Sequence, residues 1–119
     1  MKLPFFWRLW LGRVPEVSPQ EFHAWLADGR AVQVIDARSR GEYLGGTIGQ
    51  ARHAPVTRMP TSIERLNLDP ARPVVVLCLS GHRSLPGTRW LRAQGFEAYS
   101  LQGGVMAWKR AGYPVEAAK

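Results

Sequence analysis

The stretch that most constrains this chain is residues 74–84, VVVLCLSGHRS. Val74, Val75, Val76 and Leu77 form an unbroken β-branched and apolar run, the signature of a strand buried on both faces. The run ends at Cys78, the only cysteine. Ser80, Gly81, His82, Arg83 and Ser84 follow, and Pro86 fixes the first turn of a helix, the one place where a helix tolerates proline. A strand that runs through a short loop into a helix is the unit of an α/β sheet, where ligands collect at the carboxyl ends of the strands. The loop offers free backbone N–H groups and the positive end of the helix dipole, so it suits an anion. A cysteine there is expected to react as a thiolate held by those N–H groups, by Arg83 and by the neighbouring His82. The competing reading is an inert, small, buried hydrophobe, as most cysteines behind apolar runs are. Gly81 and Arg83 favour reactivity, because a core cysteine needs neither.

The preceding chain supplies further elements. Residues 14–17 suit a short first strand. Ser18, Pro19 and Glu21 announce a helix with a capping box, Pro19 lying at its first position. Phe22, Trp25 and Leu26 fall on one face of it, Gly29 ends it, and His23 lies off that face. Residues 32–36 form an apolar strand ending at Asp36. Asp36 can accept loop N–H groups or pair with an arginine. Arg38 and Glu42 are spaced to pair across one helical turn. Thr61 and Glu64 suggest a second capping box, with Ile63 and Leu66 three apart. Residues 69–73, DPARP, read as a turn. After the cysteine loop, Trp90 and Leu91 face inward, Gly95 closes the helix, and residues 96–101 form a fifth strand. Gly103 and Gly104 allow a tight turn into a last helix, which buries Val105 and Trp108 and ends at Gly112. Strands alternating with helices imply an α/β fold, a central parallel sheet of about five strands with helices on both faces.

Three stretches resemble the rhodanese family. CLSGHRS matches the active-site loop pattern C-x-x-G-x-R-S at Cys78, Gly81, Arg83 and Ser84. DARSRGEY matches D-x-R-x-x-x-E-[YF] at Asp36, Arg38, Glu42 and Tyr43. LQGGVMAWKRAGYPV is similar to the family's closing pattern of Gly-Gly, Trp and Gly-x-Pro-Val. Residues 45–55 fit less closely: Gly46, Ile48, Ala51 and Pro55 agree, but Thr47 stands where histidine is common and Gly49-Gln50 replaces Pro-Gly. His53 is assigned no role. The resemblance covers the chain from about residue 17 to residue 115.

What the resemblance implies is a single-domain, rhodanese-type thiosulfate sulfurtransferase. Cys78 would carry sulfane sulfur as a persulfide and pass it to cyanide, a thiol or a protein acceptor. Leu79, Ser80, Gly81, His82, Arg83 and Ser84 would line the substrate site, their N–H groups forming a nest around the anion. Asp36, Arg38 and Glu42 would support it as a structural network. No metal and no cofactor are expected. The related cysteine phosphatases and arsenate reductases place five residues between Cys and Arg, whereas here there are four. The shorter loop suits a sulfur atom better than a tetrahedral oxyanion. A third alternative, a rhodanese-like module that only docks partners, is disfavoured by the intact cysteine.

The net charge of +7 arises from 16 Lys and Arg against 9 Asp and Glu. Without a basic run, zinc-finger spacing or a basic DNA-reading helix, nucleic acid is not an expected partner. A field that draws small anionic sulfur donors is the better reading. One cysteine suits a reducing compartment, so a cytoplasmic location is expected. Residues 1–13, MKLPFFWRLWLGR, stand apart from the rhodanese domain at 14–119 as an aromatic and basic accessory segment. It is too short to span a bilayer and lacks a cleavage site after it. Packing on its own domain or self-association is favoured over weak contact with a membrane surface.

Overall fold

The computed structural model describes residues 14–118. The expectations for residues 1–13 lie outside them. Five strands form one sheet: β1 (Glu16–Val17), β2 (Gln33–Asp36), β3 (Arg52–His53), β4 (Val74–Leu77) and β5 (Ala98–Leu101). Their order is β1-β5-β4-β2-β3 and every pairing is parallel. Four α-helices lie between them, α1 (Pro19–Ala27), α2 (Arg40–Leu44), α3 (Thr61–Glu64) and α4 (Leu85–Ala93), and α5 (Gly104–Arg110) follows β5.

The strand residues alternate between two cores, as a period of two requires. Val34, Val75, Leu77 and Leu101 face α1 and α5, meeting Phe22, Val105 and Trp108. Ile35, Val74, Val76 and Ala98 face the other way, meeting Ile63 of α3 and Leu91 of α4. Each of the four β4 residues is fully buried, so this strand lies between both layers. Flanked by β2 and β5, it delivers Cys78 to the middle of the sheet's carboxyl edge.

The capping box of α1 forms as its sequence predicts: Ser18 Oγ accepts the Glu21 N–H at 3.1 Å, and the Glu21 carboxylate accepts the Ser18 N–H. Thr61 and Glu64 form no such box. Pro60 occupies the cap position of α3 and no side chain caps it, because Thr61 already belongs to the helix. His23 is exposed and stacks on Tyr113, with ring centroids 4.1 Å apart.

Candidate active site

Cys78 is the first residue beyond β4 and is fully buried. Its sulfur accepts the Gly81 N–H at 2.8 Å, and its thiol reaches Ser84 Oγ at 3.5 Å. The loop therefore closes back over its own first residue. Gly81 makes this closure with φ of +96°, a conformation that side chains rarely adopt. Ser80 Oγ lies 3.1 Å from His82 Nδ1, and both residues are exposed, as is Leu79. Ser84 is buried at the entry to α4. Its carbonyl accepts the Thr88 hydroxyl at 2.9 Å, and Thr88 Oγ1 in turn lies 2.8 Å from Ser100 Oγ.

The start of the loop is held from a second direction. The Val105 N–H donates to the Cys78 carbonyl at 2.8 Å and the Met106 N–H to the Leu79 carbonyl at 3.0 Å. Thus the free N–H groups in the first turn of α5 tie the cysteine backbone in place. Gly104 permits this approach: a Cβ there would sit 2.5 Å from the Cys78 oxygen and from the Leu79 carbonyl. The Gly-Gly turn is legible in the sequence, whereas the carbonyls it packs against belong to a segment more than twenty residues away.

The supporting carboxylates and arginines pair differently from the sequence expectation. Arg38 does not pair with Glu42. It precedes α2 and folds back on Asp36, with Nη2–Oδ2 at 2.8 Å and Nε–Oδ1 at 3.0 Å. This pair is buried, and Asp36 also accepts the Arg38 N–H and the Thr47 hydroxyl, the latter at 2.8 Å. Arg38 Nη2 donates further to the Gly46 carbonyl. Thr47, the departure from the family pattern, thus satisfies the buried carboxylate. His53 has a structural place as well: its Nε2 lies 2.7 Å from the Arg38 carbonyl and its ring stacks on Tyr43.

Glu42 pairs instead with Arg83 of the loop, in a two-pronged contact of 2.8 and 2.9 Å. The Arg83 guanidinium holds the Glu42 carboxyl down at about 2, from an ordinary 4.5, with Ser39 hydrogen bonds adding to the effect against partial burial. Arg83 is pushed up in turn, chiefly by its hydrogen bonds to Glu42, with smaller contributions from Cys78 and Asp36. Glu42 also closes a capping box with Ser39, whose S-x-x-E spacing was readable in the sequence. Gly81 and Ser84 therefore touch the Cys78 sulfur, Leu79, Ser80 and His82 are exposed, and Glu42 reaches the loop through Arg83, while Asp36 and Arg38 brace the neighbouring strand end. No cluster of His, Cys, Asp and Glu able to hold a metal ion occurs among the described residues. No helix among them is long and apolar enough to cross a membrane.

A parallel sheet with a cysteine at the carboxyl end of its central strand, under a glycine-turned loop, defines a cysteine-loop α/β domain. Residues 18–111 match the model of the rhodanese-like domain, and the chain belongs to that family. It is 33% identical over 105 residues to a protein of Allochromatium vinosum named sulfurtransferase, covering 87% of this chain and 96% of that one. It is 32% identical over 87 residues to the thiosulfate sulfurtransferase GlpE of Shewanella oneidensis, covering 72% and 84%. A crystal structure of a rhodanese-like domain protein from Staphylococcus aureus has the same fold, with a TM-score of 0.74 at 24% identity, covering 88% and 99%.

Proposed function

We propose that this chain is a sulfurtransferase that carries sulfane sulfur on Cys78. The observation that carries the reading is the Gly81 N–H aimed at the sulfur at 2.8 Å, a fixed donor for a sulfur anion. In the first step the Cys78 thiolate attacks the terminal sulfur of thiosulfate. The bond between the two thiosulfate sulfurs breaks, and sulfite leaves with its electron pair. Cys78 then holds a persulfide, whose anion the N–H groups of residues 79–84 cradle. In the second step cyanide, a thiolate or a protein thiolate attacks the terminal sulfur. The persulfide S–S bond breaks and the Cys78 thiolate returns.

The burial of Cys78 favours a donor that enters by a narrow terminal atom, as the sulfane sulfur of thiosulfate does. The Arg83–Glu42 bridge ties the loop to α2. Excess positive charge across the chain draws the anionic donor inward. Residues 14–119 carry the activity, with residues 1–13 as an accessory. A protein whose one cysteine works as a thiol belongs in a reducing compartment, the cytoplasm. The test is thiocyanate formation from thiosulfate and cyanide, beside hydrolysis of an aryl phosphate. Cys78-dependent thiocyanate with no phosphatase turnover is expected. Thiocyanate formation that survives Cys78→Ser, or efficient Cys78-dependent phosphate hydrolysis, would overturn the reading.

A further inference from the structure

A second concave site lies at the carboxyl end of β3, and the chemistry above does not use it. Its volume is about 450 Å³, and its lining includes His53, Arg58, Thr61, Ser62 and Arg65 but no acidic side chain. The ion pairs among the described residues engage Arg30, Arg38 and Arg83, and neither Arg58 nor Arg65 belongs to one. Glu64, next in sequence to Arg65, lines a different hollow with Trp90 and Phe96. Two guanidinium groups outside any ion pair, beside the Thr61 hydroxyl, are the chemistry of a carboxylate or phosphate site. The wall is firm, because His53 is fixed by its contact with the Arg38 carbonyl and by stacking on Tyr43. Ser62 is fixed too, its hydroxyl donating to the Pro55 carbonyl at 3.1 Å.

Position gives this pocket a purpose. His53 pairs with Asp36, and Asp36 with Leu77, the residue before Cys78. Two strand spacings, about 10 Å, therefore separate the pocket wall from the strand end that carries the cysteine. Cyanide and thiosulfate are too small to span that distance. A thiol whose anionic group lies on an arm about three residues' length from its sulfur, at roughly 3.3–3.6 Å per residue when extended, does span it.

We propose that Arg58 and Arg65 form an anion subsite for the sulfur acceptor. It holds the carboxylate or phosphate arm of a low-molecular-mass thiol while the thiol sulfur reaches Cys78. The acceptor role rests on the sulfurtransferase reading, whereas anion binding stands on the pocket alone. The acceptor thiol loses its proton to solvent, and its thiolate takes the terminal sulfur of the persulfide. One S–S bond forms as the other breaks.

The test compares the full chain with the double variant Arg58→Gln, Arg65→Gln. Binding is followed by NMR titration with two unreactive probes, S-methylglutathione for carboxylate and S-methyl-coenzyme A for phosphate. Sulfur transfer from thiosulfate is followed with glutathione, coenzyme A, 2-mercaptoethanol and cyanide. At least one anionic probe should bind the wild type and shift the signals of His53 and Ser62, and the probe that binds identifies the arm. The double variant should raise KM for that anionic thiol about tenfold, equivalent to about 1.4 kcal/mol. Its kcat, and its turnover with cyanide and 2-mercaptoethanol, should stay unchanged. Absence of binding by both probes, or equal KM in both proteins, would overturn the subsite. Arginine-dependent binding in a protein that transfers sulfur to no acceptor would refute the sulfurtransferase reading and leave the anion site standing.

Discussion

Substituting Gly104 by alanine tests how the loop is held, with Gly29→Ala as a matched control. Both glycines have positive φ, +64° and +71°. An alanine there costs about 1–2 kcal/mol for the left-handed backbone alone. Around Gly29 an added Cβ meets nothing within 4 Å, so the control carries that cost and no other. At Gly104 the Cβ would lie 2.5 Å from the backbone of Cys78 and Leu79, so one of the two segments must move. Forcing an extra carbon into close-packed surroundings costs roughly 1–3 kcal/mol. The displacement also strains the Val105 and Met106 hydrogen bonds to the Cys78 and Leu79 carbonyls, worth about 1 kcal/mol each. Urea denaturation should thus place Gly104→Ala about 2–4 kcal/mol below Gly29→Ala. Thiocyanate formation per folded molecule should fall by at least about tenfold in Gly104→Ala, since small displacements of reacting groups are costly, and hold steady in Gly29→Ala. Equal stability losses with equal turnover would refute the claim that α5 positions the cysteine.

Three further perturbations address the surrounding network. Glu42→Gln keeps the capping box with Ser39 and removes the charge facing Arg83. The folded carboxyl lies at about 2 and the ordinary one at 4.5, so the pair's stabilisation is complete above about pH 4.5 and fades as pH falls through about 2. With the Arg83 side chain 38% exposed, solvent screening limits the loss to about 1 kcal/mol near pH 6, and urea titrations at pH 6 and pH 3 should show the wild-type advantage shrinking. Asp36→Asn leaves the buried Arg38 charge without its carboxylate and should cost about 3–5 kcal/mol by thermal or urea unfolding. A chain starting at Leu11 should keep its thiosulfate turnover per folded molecule, while its melting temperature or sedimentation changes. Lost turnover in a folded truncated chain would place residues 1–10 at the site.

The sheet and its central strand were legible because β4 is apolar throughout and glycines mark the ends of α1, α2 and α4 and the turn into α5. The entry to α1 was legible because Ser18, Pro19 and Glu21 act on backbone within one turn. The Arg38–Glu42 expectation failed for a specific reason. Spacing by four residues brings side chains together only inside a helix, and α2 begins at Arg40, two residues too late. Freed from that geometry, Arg38 turns back to the carboxylate two residues before it. Glu42 finds a partner 41 residues away. No local pattern reports such a distance, nor the approach of Gly104 to the Cys78 carbonyl. Thr47 read as a departure from the family pattern, but its hydroxyl completes the hydrogen bonding of Asp36, and only tertiary packing reveals that. At Thr61 the local signal misled, because the helix starts one residue earlier than a threonine cap requires.

The central claim is that Cys78 carries sulfur, and intact-protein mass spectrometry after incubation with thiosulfate tests it most directly. The wild type should gain one sulfur atom, removed by cyanide, and Cys78→Ser should gain none. A wild type that gains no sulfur, or a Cys78→Ser variant that gains the same one, would contradict it.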